Sequence, residues 1–310
     1  FVNNQSYIEN LKGINTVIVE AKNDEGSIFY DSNVCDEYLS DPDLAVENTV
    51  VSKKELKKII KKYRKKGIYC VSRIVVFKDP VFAQDNPKES LTDKHDNLVV
   101  YNNQYWPSAY SRKAWMYNVA IAKECADLGF NEIQFDYVRF PDGTANSEIN
   151  LDFHNTYKES KVAAVQGFLQ YAKEELSPKG VYVAADIFAW PIVACDDQDI
   201  GQFLPAIANV VDVVSPMPYL DHFSKGSFGI VDPVQAPYDT LAAFTKISNV
   251  QLKGIKHASK YRTWIQGYDM TSRELKQQIK GLKDNKQPDY MVWLVSGDES
   301  DINKIKNGFH

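Results

Sequence analysis

The sequence is poor in the side chains that bind transition metals. It holds five histidines and four cysteines in 310 residues. Cys35, Cys70, Cys125 and Cys195 lie far apart and form no CxxC pair, which argues against a zinc knuckle. No HxH or HExxH spacing occurs, which argues against a metal-dependent hydrolase. No GxGxxG follows a strand and no P-loop is present, so a dinucleotide or nucleotide cofactor is not expected. No apolar run is long enough to span a bilayer. No signal peptide is recognisable, and the abrupt start at Phe1 fits a processed or trimmed N-terminus. The net charge of -5 lacks the basic excess that nucleic-acid binding calls for. The densest basic run, Lys53–Gly67, carries Leu56, Ile59, Ile60 and Tyr63 at helix spacing. It reads as the wet face of an amphipathic helix.

What is present suits a large globular protein: 44% of the residues are hydrophobic and 12% aromatic. Strand and helix patterns alternate. Strands are expected over Asn15–Asp24, Ile68–Phe77, Glu132–Val138, Val181–Phe188, Val211–Pro216, Tyr261–Tyr268 and Tyr290–Ser296. Helices are expected over Gln5–Leu11, Lys53–Lys66, Ser111–Leu128, Lys161–Leu176, Ile200–Asn209, Tyr238–Ile247 and Thr271–Lys283. Ser52 with Glu55, and Thr271 with Glu274, have capping-box spacing. Regular alternation implies a parallel sheet. The fold expected is a (β/α)8 barrel of the TIM type, with residues 1–310 as one domain. Seven strands are one short of eight, so Asn15–Asp24 is counted as the second. The first lies upstream of residue 1 or is atypical.

Barrel enzymes place their sites at the C-terminal ends of the strands. There the sequence sets Glu20, Lys22 and Asp24, then Arg73, then Asp136 and Arg139, then Asp186, Tyr219, and Gln266. Aromatics accompany them: Tyr137, Trp190, Trp264 and Trp293 among others. The run "NEIQFDYVRFP" (Asn131–Pro141) poses the sharpest question. As a strand it sends Ile133, Phe135 and Tyr137 one way and Glu132, Gln134 and Asp136 the other. A carboxylate on a buried strand needs a partner or a task. Asp136 and Asp186 both end apolar strands. Two carboxylates across an aromatic cleft suggest glycoside chemistry: one protonates the leaving oxygen, the other attacks the anomeric carbon or activates water.

Five segments then carry a resemblance: "EIQFDYVRFP" (Glu132–Pro141), "RIVVFKDP" (Arg73–Pro80), "ADIFAW" (Ala185–Trp190), "IGQFLPAIANVVDVVSPMPY" (Ile200–Tyr219) and "RTWIQGY" (Arg262–Tyr268). In this order they resemble the bacterial glycosyl hydrolase domain family, a β/α barrel related to α-amylase-like and other polysaccharide-degrading hydrolases. The resemblance implies Asp136 and Asp186 as the catalytic pair, with Arg73, Arg139, Tyr219 and Gln266 near the cleft. By analogy with α-amylase-like barrels, Asp136 is expected as the nucleophile and Asp186 as the acid/base, or the two with roles exchanged; neighbouring strands ~4.8 Å apart point to a retaining mechanism. Leu220-Asp221-His222 and the loop after Trp293 depart from the family's usual pattern, which bears on substrate preference. The expected partner is an oligosaccharide or polysaccharide of a bacterial surface or extracellular matrix, met by a monomer outside the cell, with no metal or cofactor. The rival expectation is a carbohydrate-binding barrel without catalysis.

Overall fold

The computed structural model describes residues 5–144, 150–255, 259–295 and 298–309. Its strands are β1 (Thr16–Lys22), β2 (Tyr69–Val75), β3 (Thr92–Asp93), β4 (Glu132–Asp136), β5 (Leu151–Asp152), β6 (Tyr182–Phe188), β7 (Val213–Met217), β8 (Lys260–Tyr261), β9 (Thr263–Gln266) and β10 (Tyr290–Trp293). One sheet runs β1-β2-β4-β6-β7-β8, and β9 pairs with β10. Every pairing in these two sheets is parallel. β8 and β9 are one strand interrupted at Arg262, whose amide still reaches the carbonyl of Val214 at 2.9 Å. Among the described residues the barrel therefore has seven staves in chain order, as expected. β3 and β5 form a separate antiparallel pair outside it, too short to be read from periodicity.

Alternation along each stave sorts the side chains. Ile133 and Phe135 of β4 join the main core beneath the helices, as do Val183, Ala185 and Ile187 of β6. The inner face holds a smaller apolar cluster of Met217, Tyr219, Trp264 and Met291. Glu132, Gln134 and Asp136 are buried on that inner face. Glu132 sits at its lower end, paired with Arg262 and accepting from Tyr69 Oη at 3.1 Å. Gln134 lies above it, 3.4 Å from Ser215 Oγ.

The helices follow local chemistry. Ser111 caps Arg112–Leu128 by accepting from the Ala114 amide, and Gly129 ends the helix in the left-handed region that glycine enters without strain. Thr271 and Glu274 form both halves of a capping box. Ser52 forms one half, accepting from the Glu55 amide. The helix expected from Ile200 starts only at Leu204. Pro205 cannot sit in a helix interior but suits its first turn.

Candidate active site

Asp136 ends β4, and Asp186 lies two residues before the end of the neighbouring stave β6. The register pairs Phe135 with Ala185, so the two aspartates occupy adjacent positions on the inner face. Their environments differ. Asp136 Oδ2 accepts from Arg73 Nε at 3.0 Å and Nη2 at 2.5 Å. Its Oδ1 accepts from the Tyr137 amide at 2.6 Å. That bond needs a sharp end to the strand, and Tyr137 supplies it with a φ of 48°. A left-handed tyrosine costs about 1 kcal/mol, so the local backbone is strained where the carboxylate is held.

Asp186 is fully buried. Its Oδ1 accepts from Trp264 Nε1 at 2.9 Å, while Oδ2 is buried without a hydrogen-bond partner. Burial pushes its carboxyl well above the usual range, and the charge of Asp136 pushes it further. Arg73 and the Trp264 bond oppose that shift without cancelling it. Gln202, which the strand-end reasoning passed over, anchors the end of β6. It accepts from the Phe188 amide at 2.8 Å and donates to the Asp186 carbonyl at 3.1 Å. A lone glutamine before a helix carries no sequence signal for that task.

Arg73 joins the acidic groups. It bonds Glu20 as well as Asp136 and lies 5.2 Å from the Trp293 ring. Burial works against its charge, but Asp136 and Glu20 outweigh burial and raise its pKa. Burial also raises the carboxyl of half-exposed Glu20, against the pull of Arg73. Tyr219 is buried beside both aspartates. Burial and their charges hold its hydroxyl well above the usual range, so it stays protonated.

The rim is built from paired charges and rings. Asp24 bonds Lys78 at 2.6 Å, and Lys78 Nζ lies 5.0 Å from the Tyr137 ring. Arg139 is buried between rings, 4.3 Å from Phe188 and 5.2 Å from Trp106, with Asp142 at 3.2 Å. Trp190 is 41% exposed, the most open aromatic of the group. Its Nε1 donates to the His222 carbonyl at 3.3 Å.

Two expected contact residues stand elsewhere. Lys22 is fully buried, 2.5 Å from Asp79 and 2.9 Å from Asn118 Oδ1. A register shift between Glu20 and Lys22 turns it away from the inner face. Gln266 spends its Oε1 on the amides of Leu220 and Asp221, at 2.9 and 3.4 Å. Those bonds brace the loop after β7. Trp264 and Tyr219 are also more enclosed than an open groove lining would be, at 3% and 7% exposure. A cavity of about 1210 Å³ reaches Glu20, Arg73, Trp264 and Trp293 but is lined by neither aspartate. It opens beside β1. Among the described residues no three His, Cys, Asp or Glu side chains converge to hold a metal.

A parallel β/α barrel with neighbouring carboxylates on its inner face, one bonded to arginine and one whose ionisation is disfavoured by burial, is an arrangement suited to glycoside hydrolysis. The comparisons agree. Residues 4–298 match the family model described as "Putative glycosyl hydrolase domain", and the chain belongs to that family. No curated protein matches the sequence. Among solved structures, the glycoside hydrolase domain of PgaB (BpsB) from Bordetella bronchiseptica is 14% identical, with a TM-score of 0.65 over 99% of this chain and 93% of that one. The α-galactosidase TtGalA from Thermus thermophilus is 10% identical, with a TM-score of 0.54 over 99% of this chain and 57% of that one. A chitinase from Chromobacterium violaceum is 12% identical, with a TM-score of 0.51 over 98% and 93%. At such identity these neighbours establish the barrel fold.

Proposed function

We propose that this chain cleaves glycosidic bonds of a bacterial surface or extracellular polysaccharide by a retaining, two-carboxylate mechanism. The observation that carries the reading is the contrast between the two aspartates. Asp136 is held by Arg73 and the Tyr137 amide, with Oδ1 and Oδ2 both fixed. It acts as the nucleophile on the anomeric carbon. Asp186 keeps its proton because burial and the charge of Asp136 disfavour ionisation. It delivers that proton to the leaving oxygen and then, as a base, draws one from the incoming water. Positions adjacent across strands ~4.8 Å apart favour the ~5 Å carboxyl spacing of retaining enzymes over the ~6.5–9.5 Å that admits an inverting water. Glu20 and Arg73 offer hydrogen bonds to sugar hydroxyls, and Trp190 a face for a sugar ring.

Because Asp186 is enclosed, side chains packed around it, Trp264 among them, must move for a substrate to receive its proton. The test is a panel of polysaccharides assayed for new reducing ends, with Asp136→Asn as control. Proton NMR of the first anomer formed then reads the stereochemistry. Retention supports the assignment. Inversion overturns it, and saccharide binding without turnover in any arm favours a non-catalytic binding barrel.

A further inference from the structure

The basic run that opens on Lys53 takes no part in the site around the two aspartates. Lys53–Lys66 holds nine basic residues and one acidic, Glu55, a net +8. With -5 overall, the rest of the chain carries -13. The helix Lys53–Lys65 buries Leu56, Ile59, Ile60 and Tyr63, so its apolar face is committed to the core. Its basic residues divide in two. Those on the flanks are tied to the body of the protein. Lys53 bonds Glu124 at 3.0 Å, Lys62 and Lys66 bond Glu9, and Arg64 donates to the Gly129 carbonyl at 2.8 Å. Lys54, Lys57, Lys58, Lys61 and Lys65 are exposed, and among the described residues none of them pairs with a carboxylate. At 3.6 residues per turn these five fall within about 100° around the axis, in one row about 16 Å long. Their spacing sets like charges side by side, which destabilises a helix. The fold bears that repulsion without an internal counter-charge among the described residues.

We infer that this row is a docking strip for a linear phosphodiester polymer of the polyol-phosphate kind, a partner distinct from the glycoside that the two aspartates cleave. Charge sets the sign of the partner, and shape selects among anions. A strip one helix wide, on a chain otherwise at -13, suits a thin polymer that touches the row alone. A planar anionic bilayer would also meet the acidic remainder of the surface, and the buried apolar face leaves nothing to insert between lipids. A single-stranded nucleic acid calls for exposed rings on which bases stack, and the helix's one aromatic, Tyr63, is buried. The row is all lysine. An ammonium is a point charge that suits the single charge of a phosphodiester, whereas planar carboxylates favour the fork of arginine. The helix runs back from the mouth end of β1 to the start of β2. One end of the row therefore lies on the side of the barrel where Asp136 and Asp186 stand. A polymer held there keeps the protein at the surface on which it acts; that step alone rests on the proposed function.

The test is fluorescence anisotropy of labelled polyglycerol phosphate titrated with the chain at low salt. Wild type should bind, and log K should fall with log salt at a slope of about -3 to -4, the value for five lysines on a flexible polyanion. The variant K54Q/K58Q/K61Q/K65Q should bind at least about 30-fold more weakly, with a slope of about -1. Glutamine is as good a helix former as lysine and removes the repulsion, so its melting temperature should equal or exceed that of wild type. The variant K88Q/K225Q/K253Q/K283Q removes the same charge from exposed lysines elsewhere. It should weaken binding by less than about threefold. Three results would each overturn the inference: no binding by wild type, equal weakening by the two variants, or tighter binding to anionic phospholipid vesicles, polyuronate or a single-stranded oligonucleotide than to polyglycerol phosphate. Binding is read without turnover, so none of these bears on whether the two aspartates hydrolyse glycosides.

Discussion

Asp136 and Asp186 have the same side chain and nearly the same place, yet their surroundings set them apart. Asp136→Asn keeps the shape and should keep the fold by circular dichroism. It should cost about 1–3 kcal/mol in urea unfolding, because Arg73 loses a charged partner, and reduce hydrolysis by at least about 1000-fold. Asp186 makes a pH prediction whose sign is fixed. Its folded pKa stands above the unfolded value of about 3.9. Between the two, the folded state binds more protons, so this group's stabilising contribution is complete at acid pH and is lost as pH rises through the folded pKa. Asp186→Asn should therefore gain melting temperature relative to wild type at neutral pH, and the gain should vanish near pH 3. The alkaline limb of the rate should belong to the same group. Trp264→Phe removes a bond that holds the Asp186 pKa down, so that limb should move to higher pH. A limb that stays in place would mean another group sets it.

At the scale of elements, the buried Lys22–Asp79 pair ties β1 to the segment after β2. Asp79 also caps the helix Pro80–Asp85 by accepting from the Phe82 amide at 2.9 Å. Lys22→Ala leaves a buried carboxylate without its cation. It should destabilise by about 3–5 kcal/mol while leaving the KM of the folded protein unchanged. A raised KM at unchanged stability would return Lys22 to the substrate side. The positions of the staves, and of the helices Arg112–Leu128 and Lys161–Leu176, were legible because period-2 and period-3.6 patterns are local. The bulge that reverses Lys22 was not, since it depends on how β1 meets β2.

At the scale of the whole molecule, the proposed mechanism draws both nucleophile and proton from two aspartates. Dialysis against EDTA should therefore leave hydrolysis of a responsive polysaccharide unchanged, and loss of activity restored by a divalent cation would refute the two-carboxylate chemistry. The barrel brings together residues 166 positions apart, Glu20 and Asp186, around one arginine.

The sequence by itself determined the alternation of strand and helix, the seven-stave count, the family, and the strand ends that carry Asp136, Asp186 and Arg73. Those follow from side-chain periodicity and from motifs that read along the chain. Only the tertiary structure decided which polar strand-end residues face inward. It sent Lys22 to Asp79 and Gln266 to the backbone of Leu220, and it left Asp186 Oδ2 without a partner. Such outcomes depend on burial and on partners far away in the chain. A carboxylate's role is set by the charges and dipoles packed around it, and these exist only once the strands are side by side.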